Sequence, residues 1–196
     1  MLKFLNSLKE FRAWRRRGYG NQSPQFVKDK VLRRYAIPGA TWVETGTFKG
    51  HTSQLLAQLS PAVYTLEPAP KLFSRAARKF KGTHVEVING TSEEVFPTLL
   101  PKLSGDICFW LDGHYSAGST FQGATDCPIE AELAAIHDNL THFDKVTILI
   151  DDIRACSSEE PWTADYPSLD TLVDWARAHD LKWRIEHDIL IMGHMA

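Results

Sequence analysis

Apolar positions recur at helical spacing from the start of the chain: Phe4, Leu5, Leu8, Phe11 and Trp14, with cationic residues largely between them. The pattern predicts an amphipathic helix over about 3–17, ended by Gly18, Gly20, Asn21, Ser23 and Pro24. Phe26, Val27, Val31 and Leu32 predict a second helix near 25–35, broken at Ile37-Pro38-Gly39. Strand and helix patterns then alternate. Strands are expected at 41–44, 62–67, 84–89, 107–112 and 145–152, and helices at 51–59, 70–80, 92–100, 128–139 and 168–179. Two last strands, 181–188 and 189–194, follow with almost no connection. Runs such as Val146-Thr147-Ile148-Leu149-Ile150 suit strands buried on both faces, and therefore a mainly parallel sheet covered by helices. A final pair without an intervening helix must be an antiparallel hairpin. The expected fold is α/β, a doubly wound seven-stranded sheet preceded by extra N-terminal helices. The expected division is a basic helical arm over 1–36 and a domain over 37–196. In such sheets ligands sit at the carboxyl ends of the strands.

Composition narrows the picture. Hydrophobic residues make up 43% and charged residues 23% of 196, which argues against wholesale disorder. A domain of this length buries about 70% of its unfolded surface, so bulk stability needs no disulfide or metal. Cys108, Cys127 and Cys156 are sparse and lack CxxC spacing, which points to reduced thiols and a cytoplasmic setting. No apolar run approaches the roughly 20 residues of a membrane span. Residues 1–8 lack the continuous apolar core and cleavage site of a signal peptide. Charge is unevenly distributed. Residues 1–35 hold ten Lys/Arg against Glu10 and Asp29, a local charge of +8, which leaves −10 for the remainder of a chain whose total is −2. A near-neutral chain thus presents a cationic segment.

The first strand runs into Glu44-Thr45-Gly46-Thr47-Phe48-Lys49-Gly50-His51-Thr52-Ser53. Gly46 permits a tight turn, and Gly50 lets the next helix pack closely with backbone N–H groups near a ligand. The spacing is neither the dinucleotide GxGxxG nor a phosphate loop ending in GK[ST]. Glu44, at the strand's end, suits a ligand carrying positive charge. Glu67 ends the second strand 21 residues after Gly46. A carboxylate there, at about the usual 20-residue separation, can accept hydrogen bonds from ribose hydroxyls. Asn89-Gly90-Thr91-Ser92 offers a turn and a hydroxyl after the third strand, where an adenine could lie.

The stretch from Trp42 to Ile153 resembles a class I S-adenosylmethionine-dependent methyltransferase, with the layout of the small catechol-type and macrocin or antibiotic-sugar-type O-methyltransferases. The resemblance is carried by the Glu44–Gly50 turn with Phe48 as its aromatic, the strand-two acid Glu67, Gly90 to Ser92, and the acidic end of strand four. It implies a Rossmann-like fold, with S-adenosylmethionine held by Glu44, Gly46, Thr47, Phe48, Gly50, Thr52, Glu67, Ser92 and Asp112. It also implies methyl transfer to a hydroxyl of a small molecule, a phenol or a sugar.

Strand four ends at Asp112 and strand five at Asp151 and Asp152. Adjacent parallel strands lie about 4.8 Å apart, so the three carboxylates converge and repel one another unless a cation sits among them. An oxygen-only cluster suits Mg²⁺, with Mn²⁺ or Ca²⁺ as alternatives. In the similar metal-dependent O-methyltransferases a metal at matching positions binds the acceptor oxygen. Other roles stay open: Asp112 could contact cofactor, Asp151 could cap a helix and Asp152 could be solvated. His114, two residues past Asp112, is a candidate general base, a metal ligand or a pocket lining. The catechol-type enzymes place a lysine just after strand four, and none follows Asp112 here. The glycine- and hydroxyl-rich stretch over 115–126 reads as an acceptor-site loop.

The +8 arm admits three readings: a helix that covers the cofactor or forms a homodimer, a peripheral contact with anionic membrane, or a holder for an anionic substrate. No aromatic-rich single-strand platform is evident, which argues against nucleic acid as partner. Without metal, O- or N-methylation using His114 is the alternative activity, and a non-catalytic cofactor-binding module is the alternative class.

Overall fold

The computed structural model describes residues 2–19, 23–113, 127–157, 160 and 163–194, and for residues 2–6 the backbone alone. Two helices, α1 (Leu2–Arg16) and α2 (Gln25–Tyr35), precede an alternating series. The series runs β1 (Thr41–Thr45), α3 (His51–Leu56), β2 (Val63–Leu66), α4 (Pro70–Lys79), β3 (Val85–Ile88), α5 (Ser92–Leu99) and β4 (Gly105–Leu111). It continues through α6 (Ile129–Asn139), β5 (Phe143–Ile150), α7 (Leu169–Ala178), β6 (Lys182–Glu186) and β7 (Ile189–Gly193). The seven strands form one sheet in the order β3-β2-β1-β4-β5-β7-β6. β1 to β5 pair in parallel, and β7 runs antiparallel to both β5 and β6. The expected doubly wound sheet and closing hairpin are both present. Among the described residues no helix is long and apolar enough to cross a membrane.

The pleat sorts side chains onto two faces. On β4, Ile107, Phe109 and Leu111 point to a core shared with α5, α6 and α7. Cys108 and Trp110 point to the opposite core, with Trp42 of β1, Leu55 and Leu56 of α3, and Ala76 of α4. Both faces are dry, which is why these strands read as continuous apolar runs. All three cysteines are buried as thiols, outside any disulfide. Burial pushes the Cys108 and Cys127 thiols up to about 12 and Cys156 up to about 11, so they behave as core residues.

Element ends differ from expectation where polar residues interrupt the pattern. β5 starts at Phe143, ahead of the exposed Asp144 and Lys145, because buried Phe143 pairs with Gly105 across a register shift. β4 and β5 stop at Leu111 and Ile150, which leaves Asp112, Asp151 and Asp152 beyond the ladder. A short 3₁₀ turn at Ile153–Ser157 follows β5.

The N-terminal arm shares its core with the domain that follows. Val31 and Leu32 of α2 are buried among α3 and α4 residues. Arg33 donates to Gln58 Oε1, just past α3, at 2.9 Å, and Arg34 and the Tyr35 hydroxyl donate to the two carboxylate oxygens of Glu186 at 2.7 and 2.9 Å. Trp14 of α1 is 2% exposed, with its ring 4.9 Å from Tyr19 and 5.4 Å from His187 of the β6–β7 turn. Truncating Leu32 to alanine should therefore lower unfolding stability by about 2–5 kcal/mol in a urea titration, as for a central core leucine. Truncating the exposed Leu8 should cost less than about 0.5 kcal/mol.

Candidate active site

The turn between β1 and α3 lies against the end of β4. Gly46 has φ +86°, and a Cβ there would fall 2.4 Å from the Asp112 carbonyl oxygen. Any other residue would push the turn off strand four. The Gly46 and Thr47 amides both donate to Leu66 O, at 3.1 and 3.0 Å, which ties the turn to β2 as well. Gly50, at φ +67°, opens α3, and a Cβ on it would meet the Phe80 ring at 2.8 Å. Between them Phe48 takes φ +48° and is 43% exposed. Its amide donates to Glu67 Oε2 at 2.7 Å.

Glu44 does not project from the strand tip toward a ligand, as expected from its place in the motif. Its register partner is Thr65, and it lies on the α3 face of the sheet, wholly buried. Its Oε2 accepts from Ser53 at 2.5 Å and from Thr65 at 2.6 Å. The Thr65 hydroxyl gives its one hydrogen to Glu44, so Thr47, 2.6 Å away, must donate to Thr65. Thr47 thus carries the network up into the turn. Glu44 Oε1 is buried without a partner. Burial raises this carboxyl to about 7, against the pull of the Ser53 and Thr65 hydrogen bonds and of Lys79.

Glu67, 3% exposed, directly follows β2, with Oε1 accepting from the Ala69 amide at 3.0 Å and Oε2 from Phe48. Burial raises its pKa, and the two amides hold it down. Each oxygen keeps lone-pair capacity for a hydroxyl. Asn89, marked in the sequence only as part of a turn, donates to Glu67 O at 2.8 Å and fixes the β3 loop beside it. Ser92 opens α5, buried, with its hydroxyl donating to Glu93 at 3.2 Å. Thr52, in the first turn of α3, accepts from Gln25 of α2 at 3.4 Å.

Asp112, Asp151 and Asp152 converge as expected, with one carboxylate oxygen of each within 4.8 Å of the others. Cations do sit among them, and they come from the chain itself. Lys28, from α2, places its ammonium on Asp151 Oδ2. Burial works against that charge, but Asp151, Asp112 and Asp152 outweigh it and hold the Lys28 pKa above its ordinary value. Arg154 donates to Asp152 Oδ1 at 2.7 Å and also pairs with Asp188. The Mg²⁺ implied by the resemblance therefore does not fit the donor set as it stands. Of three carboxylates, one already holds an ammonium and one a guanidinium. Sequence reasoning missed Lys28 and Arg154. It also missed Glu132 of α6, which is 1% exposed and approaches Gly113 beyond β4. His114, Tyr115 and the loop over 115–126 lie outside the described residues.

A cavity of about 190 Å³ lies beside the turn, lined by Phe48, Lys49, Leu72, Arg75, Ala76 and Lys79. α4 itself carries Lys71, Arg75, Arg78 and Lys79 and no acid. Lys79 closes on the carbonyls of Gly50 and Lys49, at 2.5 and 3.1 Å. The division into a basic arm and an acidic body concealed this second cationic face.

No known family and no curated protein matches the chain by sequence. Solved structures do match. An O-methyltransferase from Bacillus cereus, in complex with SAH, is 15% identical with TM-score 0.58, over 94% of this chain and 88% of that one. The N-methyltransferase NodS from Bradyrhizobium japonicum is 11% identical with TM-score 0.57, over 86% and 94%. An rRNA methylase from Streptococcus thermophilus is 13% identical with TM-score 0.50, over 89% and 96%. The chain has the fold of the class I methyltransferases.

Glu44 sets a pH dependence. Its folded value of about 7 lies above the ordinary 4.5. The folded state therefore holds the proton more tightly, and this stabilising contribution is full below pH 4.5 and lost as pH rises to about 7. Glu44→Gln, which keeps acceptor and shape, removes that loss. Between pH 5 and pH 8 the Tm of the variant should gain roughly 5–10 °C on wild type in paired thermal melts. An unchanged difference across that range would show that Glu44 is ionised throughout.

Proposed function

We propose that the protein is a methyltransferase that moves a methyl group from S-adenosylmethionine to a hydroxyl oxygen of a small-molecule acceptor. The observation that carries this reading is the left-handed turn at Gly46, seated on the end of β4 so that Glu67 and the carboxylates after β4 and β5 border one crevice. That crevice lies at the switch point of the sheet, where strand order reverses between β1 and β4. The Bacillus cereus likeness agrees with it.

When bound, S-adenosylmethionine supplies an electrophilic methyl on a sulfonium sulfur. Glu67 would accept the ribose hydroxyls on oxygens already steered by the Phe48 and Ala69 amides. Thr47, Thr52, Ser92 and the Gly46–Gly50 backbone would line the rest of the nucleoside. Glu44 would act from below, setting the turn's shape and adding negative potential as it ionises near neutral pH. Asp112 and Asp151 would orient the acceptor hydroxyl, and His114 would take its proton. Rate enhancement then comes mainly from holding the acceptor oxygen in line with the methyl. No step is assigned to Mg²⁺, because Lys28 and Arg154 already engage the carboxylates that would bind it.

The cationic face of α4 with Lys49 favours a second reading, in which the acceptor carries phosphate, as RNA does. Methyl transfer to total RNA, set against transfer to catechols and sugars, separates the two.

Calorimetric titration with S-adenosylmethionine tests the reading first. Micromolar binding is expected, and absence of heat and of thermal shift at millimolar cofactor would refute it. Glu67→Gln should weaken cofactor binding by about 10–100-fold, the range for hydrogen bonds to a charged group. His114→Gln should leave cofactor affinity unchanged and lower turnover by about 10²–10⁴-fold, as loss of a general base does.

A further inference from the structure

We infer that Lys28 is the resident cation of the acceptor crevice, a tethered ammonium held among the carboxylates that would otherwise collect a divalent ion. The role in catalysis rests on the methyl-transfer reading; the occupancy does not.

The placement is specific. Lys28 lies 123 residues from Asp151 in sequence, and the side chain crosses from the N-terminal segment to the end of the fifth strand. Its side chain is 12% exposed and that of Asp151 is fully buried. α2 cannot drift away from this contact easily. One turn before Lys28, Gln25 reaches Thr52 at the start of α3, and just beyond it Val31 and Leu32 are locked into the core. The helix therefore spans the mouth of the crevice, bonded to the β1–α3 side through Gln25 and to the β5 side through Lys28.

A divalent ion and this ammonium compete for the same oxygens. Mg²⁺ demands near-octahedral oxygen ligation at about 2.0–2.1 Å. An ion that close to Asp151 would lie against the Lys28 ammonium, and like charges in a buried site repel strongly. Arg154 occupies an oxygen of Asp152 as well, so an entering metal would have to displace two cations that the fold itself delivers. The ammonium is tethered, so it competes from a fixed, high local concentration. It also has three N–H donors, and one of them meets Asp151. The others suit an acceptor oxygen that gains negative charge as it loses its proton. Lys28 is thus a positioning residue for the acceptor, supplied by a segment that motif reading treats as an appendage.

Titration with Mn²⁺ alone, followed by the loss of its free-ion electron paramagnetic resonance signal, tests this without any acceptor. Wild type should leave the signal unchanged through the low-millimolar range. Lys28→Met keeps the apolar stem and removes the charge, and it should bind one Mn²⁺ at least about tenfold more tightly than wild type. Lys28→Arg should behave as wild type. Stoichiometric micromolar Mn²⁺ binding by wild type would overturn the inference, and that measurement needs no variant to fold. Equally weak binding by wild type and a folded Lys28→Met would overturn it too. In turnover assays, wild-type activity should be indifferent to EDTA. A protein that binds no S-adenosylmethionine yet shows the Mn²⁺ pattern would refute the methyl-transfer reading and leave the resident cation standing.

Discussion

The absence of a side chain at Gly46 is the constraint on which the site depends. With a Cβ only 2.4 Å from the Asp112 carbonyl, the β1–α3 turn could not rest on strand four. With hydrogen there, the turn closes, the Asp112 amide donates to Thr45 O at 3.3 Å, and the Phe48 amide reaches Glu67. Three strand ends, β1, β2 and β4, are joined through that one turn. Glu44 secures it from beneath. A buried acid with two hydroxyl donors on one oxygen holds α3 to the sheet, and its cost in desolvation appears as a carboxyl raised to about 7.

Charge is managed inside the molecule more than across its surface. Three carboxylates at the ends of β4 and β5, two of them buried, repel one another without compensation. Compensation comes from opposite directions in the chain: Lys28 from the second helix and Arg154 from just past β5. Arg154 also pairs with Asp188 in the β6–β7 turn, so the same guanidinium braces the hairpin against the site. The β5 end is thereby coupled electrostatically to both chain-terminal regions. That coupling explains why α2 belongs to the site as well as to the core.

The fold was legible because the central strands β1, β4, β5 and β7 are buried on both faces along most of their length. Val-Thr-Ile-Leu-Ile and Cys-Phe-Trp-Leu can only be central strands, and a final strand pair without a helix can only reverse. The backbone of the turn was legible for a similar reason, since glycine spacing reports positive φ directly. Side-chain partners were less so. Glu44 reads as a strand-tip acid in the motif, but the two-residue pleat puts it on the face of Trp42, under α3. Lys28 reads as one cation among ten in the arm. Nothing in a one-dimensional charge count tells which cation will meet an aspartate 123 residues away. Arg154 stood two residues from Asp152 and was in reach of simple reasoning about neighbouring charges, and Asn89 sat within a motif already marked.

The charge asymmetry of the chain deserves a different interpretation from the one its sequence invites. A +8 segment before a −10 body looks like a signal for an external anion. Yet the arm's cations include Lys28 on Asp151 and Arg34 on Glu186, both partners within the acidic body. Part of the asymmetry is therefore an intramolecular match that docks the N-terminal helices. The cations left facing solvent on α4 tell another story, because that helix has no acid of its own and flanks the cavity beside Phe48. Among the described residues no ion pair joins an α4 cation to a carboxylate, although Lys79 feels the buried Glu44. On this argument the positive charge that faces solvent lies on α4, while Lys28 of the basic arm is paired inside the molecule.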